Sequence, residues 1–174
     1  MAYDIMNSIM DQLVTLYTAQ MQTDIATNDI NRLKLIRKAP LQDDPTKVAP
    51  FVVVGMDTDR GRVMDPIHPR EIGGGIRWCN FFKIVGRTPV HRTRDTAYEN
   101  IGIVNDRALR VVLKNWDLSG LTADNGEIVT HSTPNLIGQN VFKIYGGDNE
   151  WYGEFRINLH WFSEETPEMS GIFN

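Results

Sequence analysis

Four histidines (His68, His91, His131, His160) and one cysteine (Cys79) are the side chains of this sequence best suited to metal or nucleophilic chemistry. The histidines follow neither HxH nor HxxxH spacing, so no single helix or strand offers two imidazoles to one ion. Asp65 and His68 lie close enough to share an ion, but a zinc site asks for three or four ligands. A lone cysteine excludes an internal disulfide and a cysteine-based zinc site within one chain. Cys79 sits between Trp78 and Asn80 in an aromatic run, where a buried structural thiol is expected rather than a nucleophile. Paired acids occur as Asp43-Asp44 and Glu164-Glu165, both in proline-flanked segments whose exposure makes poor general acids. Gly73-Gly74-Gly75 precedes a strand pattern rather than a helix, so its amides form no P-loop cradle. No GxSxG or GxGxxG motif occurs. The residues thus assemble no catalytic constellation and imply no metal or cofactor. The expectation is a protein that is not an enzyme. A small metal-dependent hydrolase using Asp65, His68 and His91 is the alternative.

Charge offers chemistry of another kind. The 174 residues carry 18 Lys+Arg against 22 Asp+Glu, a formal charge of −4. That balance excludes a dedicated nucleic-acid binder with a wholly basic surface, while a nonspecific DNA-binding module with a local patch stays open. Residues 57–94 hold eight basic and four acidic side chains, a net of +4, whereas residues 148–168 hold six acids against Arg156, a net of −5. Solvated faces that happen to differ in sign would explain this. The sharper reading is that a basic region meets an acidic strand and tail on the next copy of the chain. Opposite patches on one protomer favour head-to-tail contacts, and these close into rings. The candidate interface residues are Arg60, Arg62, Arg70, Arg87, Arg92 and Arg94 on one side. Glu154, Glu164 and Glu165 stand on the other.

The elements that must position these residues follow from periodicity. From Tyr3 to about Gln22, Ile5, Met6, Ile9, Met10, Leu13, Leu16, Tyr17 and Met21 form the stripe of an amphipathic helix. Residues 24–39 fit either a short helix or an extended stretch, and Pro40, Pro45 and Pro50 then mark a surface connector. Phe51 to Met56 is a continuous apolar run, expected to be a strand buried on both faces. Residues 57–75 read as an inserted loop reaching a partner. Ile76 to Val85 reads as a strand with Ile76, Trp78, Phe82 and Ile84 on one side. Thr96 and Glu99 match a capping box, predicting a helix from Ala97 to about Trp116 with Ile101, Val104, Ala108, Val111, Val112 and Leu113 inward. Glu127 to His131 is a short strand candidate. Asn140 to Tyr145 and Trp151 to Phe162 flank a Gly-Gly-Asp-Asn-Glu turn. In the second run, Trp151, Phe155, Ile157, Leu159 and Trp161 alternate with polar residues, as a half-buried antiparallel strand requires. The reading is one α+β domain over residues 1–163, an antiparallel-rich mixed sheet covered by an N-terminal and a mid-chain helix. Residues 164–174 read as an acidic C-terminal arm. The start of the chain carries Asp4 and Asp11 without a basic segment, and the longest apolar run is far too short to cross a bilayer, so a cytosolic setting is expected.

This order resembles the tail terminator, or tail completion, proteins at the neck of long-tailed bacteriophages. The resemblance is carried by the helix from Tyr3 to Met21 and the proline-entered strand Ala49-Pro50-Phe51-Val-Val-Val54. The long hairpin-like region, the mid-chain helix and the terminal hairpin ending in Trp151-Tyr-Gly-Glu-Phe-Arg-Ile-Asn-Leu-His-Trp161 complete it, so that it covers about residues 1–163. It rests on element order. It implies a non-enzymatic virion protein, assembled in the host cytoplasm, forming a hexameric ring that terminates the tail tube. Its implied partners are further copies of itself, the tail tube protein, a head connector or stopper, and genomic DNA passing through the lumen, with no membrane. A head-completion adaptor or a tube subunit of the same particle is the alternative within that setting.

Overall fold

The alternating run from Trp151 to Phe162 becomes the spine of the fold. A computed structural model describes residues 5–39, 49–64, 76–118, 121, 128–130 and 137–165. The run lies in β7 (Glu150–Glu165), and the earlier aromatic run lies in β4 (Ile76–Arg87). These two strands pair antiparallel from Ile76 opposite Glu165 to Arg87 opposite Glu154. The far edge of β4 takes β2 (Phe51–Met56) and β3 (Arg62–Met64) in succession. The far edge of β7 takes β6 (Ile137–Gly147) and β5 (Ile128–Thr130). β1 (Leu35–Lys38) adds parallel to β2, which makes the seven-stranded sheet mixed but mostly antiparallel. The class is α+β, as the element order predicts.

Two helices cover one face. α1 (Ile5–Tyr17) runs on into a π-helical segment (Thr18–Thr23), and α2 (Arg94–Lys114) crosses the middle of the sheet. Val52, Val54, Phe82, Ile84, Phe155, Ile157, Leu159 and Trp161 meet Ile9, Leu13, Tyr17, Ile101, Val104 and Ala108 in one buried cluster. Each large side chain so buried contributes roughly 1.5–3 kcal/mol relative to exposure. Two polar groups in this layer find partners, as buried donors must. The Tyr17 hydroxyl donates to the Ala108 carbonyl at 2.9 Å, tying α1 to α2, and burial raises its pKa. Trp161 Nε1 donates to the Trp116 carbonyl at 2.9 Å. Asp148 and Asn149, with φ of 50° and 67°, form the tight turn between β6 and β7, whose left-handed backbone suits the twist of the hairpin.

The structure decides one open point of the sequence reading and departs from it at four others. The ambiguous stretch 24–39 ends in a strand, because parallel pairing with the buried β2 satisfies its backbone. The 57–75 insertion is not loop throughout: Arg62–Met64 folds back on β4. A turn makes this return, in which the amides of Arg60 and Gly61 donate to the Asp57 carbonyl and Gly61 takes a φ of 60°. Residues 65–75 lie outside the described residues. Helix α2 starts one turn earlier than the capping box suggests. Thr93 is the N-cap, its hydroxyl accepting from the Thr96 amide at 3.2 Å. Leu113 does not face the core; it is 47% exposed near the end of α2. Glu164 and Glu165 belong to β7 rather than to an arm, since the β4 pairing continues through them. The rest of the expected acidic arm, residues 166–174, lies outside the described residues.

Two glycines test the packing in opposite directions. A Cβ at Gly102 meets nothing within 4 Å, so Gly102→Ala is expected to stabilise the exposed side of α2 by about 0.5–1 kcal/mol. A Cβ at Gly153 comes 2.5 Å from the Ile101 Cβ, so Gly153→Ala is expected to cost about 1–3 kcal/mol. Urea unfolding of both variants measures the two signs.

Candidate assembly surface

Of the residues singled out in the sequence, the face of the sheet turned away from the helices carries Arg87, Glu154 and Glu164, whereas Arg62 shares the helix-side face of Asn80 and Trp161. The pattern of the outer face is set by register. Arg87 on β4 stands opposite Glu154 on β7, and Lys143 on β6 stands opposite the same Glu154. Arg77 stands opposite Glu164. The basic and acidic stretches, far apart in sequence, therefore interleave on one protomer. Two cations of residues 57–94, Arg77 and Arg87, thus lie across the ladder from acids of residues 148–168, so part of the charge contrast is adjacent within one protomer.

Individual candidates divide accordingly. Arg87 is no free loop cation: it is only 4% exposed, and its guanidinium lies 3.3 Å from the centre of the Tyr152 ring. Tyr152 in turn stacks on Tyr145 at 5.6 Å. Arg62 donates to the Ser163 hydroxyl at 3.1 Å and covers the Trp78 ring at 4.8 Å. Arg60 is more open, lying 5.4 Å over Phe81 and 3.9 Å from the Asp57 carboxylate. That carboxylate is nearly buried and also receives Lys83 at 3.7 Å. Arg92 and Arg94 are exposed at the start of α2. Arg70 lies outside the described residues. Glu154 and Glu164 are half-buried in β7, and Glu165 is placed by its backbone pairing with Ile76. Of the candidate cations, those that remain exposed are Arg60, Arg92 and Arg94. A shallow cleft of about 280 Å³ opens beside Glu154, bordered by Lys143, Tyr145 and Arg156.

Sequence reasoning missed an aromatic ladder on this same face. His160 lies between Phe81 at 5.8 Å and Phe162 at 5.5 Å, and the Arg77 guanidinium caps Phe162 at 4.1 Å. Alternation in β7 places His160 on the wet side, and only the register with β4 brings Phe81 opposite it. Also missed was a polar chain joining three segments. Asn31 donates to Asn100 at 2.9 Å, and Asn100 pairs with His91 Nε2 at 3.2 Å. The His91 backbone bridges Trp151 in both directions at 2.7 and 2.8 Å. Of the three residues proposed for a hydrolase, Asp65 and His68 lie outside the described residues, and the His91 ring is engaged by Asn100. Among the described residues, no group of three or more His, Cys, Asp or Glu side chains is placed to hold a metal. Cys79 is buried, as expected.

Compared with known proteins, the chain matches no family model and no curated sequence.

Burial lowers the pKa of both His91 and His160, and the positive charge of Arg60 lowers that of His160 further. Both rings are thus held neutral in the fold, while the unfolded chain takes up protons near the ordinary value of 6.5. Stability is therefore fully present above that value and is lost as pH falls through it towards the lower folded values. Thermal unfolding between about pH 7.5 and 5.5 is expected to show this decline. His160→Gln should flatten it. Arg60→Gln should raise the NMR titration midpoint of His160. A His160 midpoint above 6.5 in the unaltered protein would contradict the burial account.

Proposed function

We propose that this protein is a structural component of the neck of a long-tailed bacteriophage. It forms a ring, hexameric by resemblance, that terminates the tail tube and joins it to the head connector or stopper. Genomic DNA passes through the lumen without sequence-specific contacts. The chain assembles in the host cytoplasm and resides in the virion.

The observation that carries this reading is the order of elements. The chain folds as an N-terminal helix, a strand entered through Pro50, a return onto β4, a central helix and a long terminal hairpin. That is the order on which the resemblance rests. Of the candidate cations, Arg60, Arg92 and Arg94 are not already enclosed by the protomer's own sheet, and this leaves them able to meet a neighbour.

Sedimentation of the full chain at about 10–50 µM, with and without tube protein, tests the reading across a salt series. Self-association, or association with the tube, should weaken as salt rises, because exposed charge pairs are screened. The combined substitutions Arg92→Glu and Arg94→Glu should weaken it about tenfold or more. A strictly monomeric species under every condition would count heavily against a ring.

A further inference from the structure

Among the described residues, the outer edge of β6 has no strand beside it. The direction of its free backbone groups follows from bonds on the far side of the hairpin. Trp151 exchanges backbone bonds with His91, and Gly153 bonds to Thr88 through both its amide and its carbonyl. Trp151 and Gly153 therefore aim their amides and carbonyls away from β6. Their cross-strand partners, Gly146 and Ile144, must aim theirs away from β7, and the antiparallel alternation extends this to Phe142 and Asn140. A row of donors and acceptors thus faces outward along one continuous strand.

Proteins usually blunt such an edge with proline, several charges or a bulge. From Gln139 to Gly147 this one has no proline and a single charge, Lys143, and its register shift falls at the far end, between Ile137 and Gln139. It also displays aromatic surface, with Phe142 43% and Tyr145 40% exposed. Tyr98 of α2 stands edge-on to Phe142 at 6.4 Å and widens that surface.

We infer that the β6 edge pairs antiparallel with β6 of a second copy of this chain, in a register centred on Phe142. The edge is complementary to itself in that register. Each Phe142 faces its counterpart, and each Asn140 faces Ile144. On the other face, Lys143 lies opposite Val141 and Tyr145 lies opposite Gln139. The only charge therefore never meets its like, which would be destabilising directly across a strand pair. The other open edges among the described residues are poorer partners, since β3 and β5 span three residues each. β1 spans only Leu35–Lys38, and it would bring Arg37 and Lys38 towards Lys143. Pairing of one surface with itself makes a twofold contact. It does not rest on the ring reading, because head-to-tail contacts through Arg60, Arg92 and Arg94 leave this edge free.

Sedimentation equilibrium of the full chain over about 1–100 µM tests the inference. The unaltered protein should show a dimer or a multiple of one. Phe142→Pro removes an outward donor and leaves the β6–β7 bonds in place, a position at which edge strands tolerate proline. It should raise the dimer dissociation constant about tenfold or more with little change in melting temperature. Val141→Lys should weaken the dimer by meeting Lys143 of the second copy, and Val141→Glu should tighten it. These two variants keep the test decisive if the proline variant fails to fold. A chain that never dimerises, a dimer indifferent to Phe142→Pro, or Val141 variants that shift together would each overturn the inference. A ring that forms and ignores all three substitutions would overturn this contact while leaving the neck reading standing.

Discussion

Arg87 faces Glu154, Ile84 faces Ile157 and Ile76 faces Glu165 in one unbroken antiparallel register between β4 and β7, and every other element is placed by it. Because successive side chains point to opposite faces, a slip of one residue would turn Phe82, Ile84, Phe155, Ile157, Leu159 and Trp161 away from the helices. Their burial therefore fixes the register as firmly as the backbone bonds do. On its outer edge each of the two strands outruns any single neighbour and accepts two shorter strands end to end. The tall sheet that results gives α1 and α2 a single apolar floor. It also leaves the opposite face to arginines, carboxylates and rings.

That register decides what charge can do here. Read along the chain, a basic stretch and an acidic stretch look like two patches awaiting a partner. In the fold they are adjacent strands. Glu154 is flanked by Arg87 and Lys143, Arg77 faces Glu164, and several guanidiniums stand over aromatic rings. Pairs of this kind add modest stability and order the face more than they project a field. Outside that lattice, among the described residues, stand a few exposed cations and the outer backbone edge of β6, which is a directional and largely salt-insensitive surface.

The parts of this arrangement legible in the sequence are those written in local periodicity. The helical stripe from Ile5 to Met21, the apolar run Phe51 to Met56 and the alternation from Trp151 to Phe162 each announce their element and their buried side. The capping residue of α2 was misplaced because Thr93 and Thr96 both suit the role, and only the extended backbone at Thr93 chooses between them. β1 and β3 are short, and tertiary pairing alone makes them strands. The burial of Arg87, the seat of His160 between two phenylalanines and the Asn31–Asn100–His91 chain all depend on residues brought together from distant segments. No local pattern encodes them. The open edge of β6 is illegible for the same reason, since a strand becomes an edge only through what fails to pair with it.

The central claim is that this is a structural ring protein of a phage neck rather than an enzyme or a free DNA binder. Image reconstruction of purified particles, with this chain labelled, tests it most directly. The account predicts a ring of copies between the end of the tail tube and the head connector, with the lumen on the particle axis. Label distributed along the tube, confined to the head, or absent from the particle would contradict it.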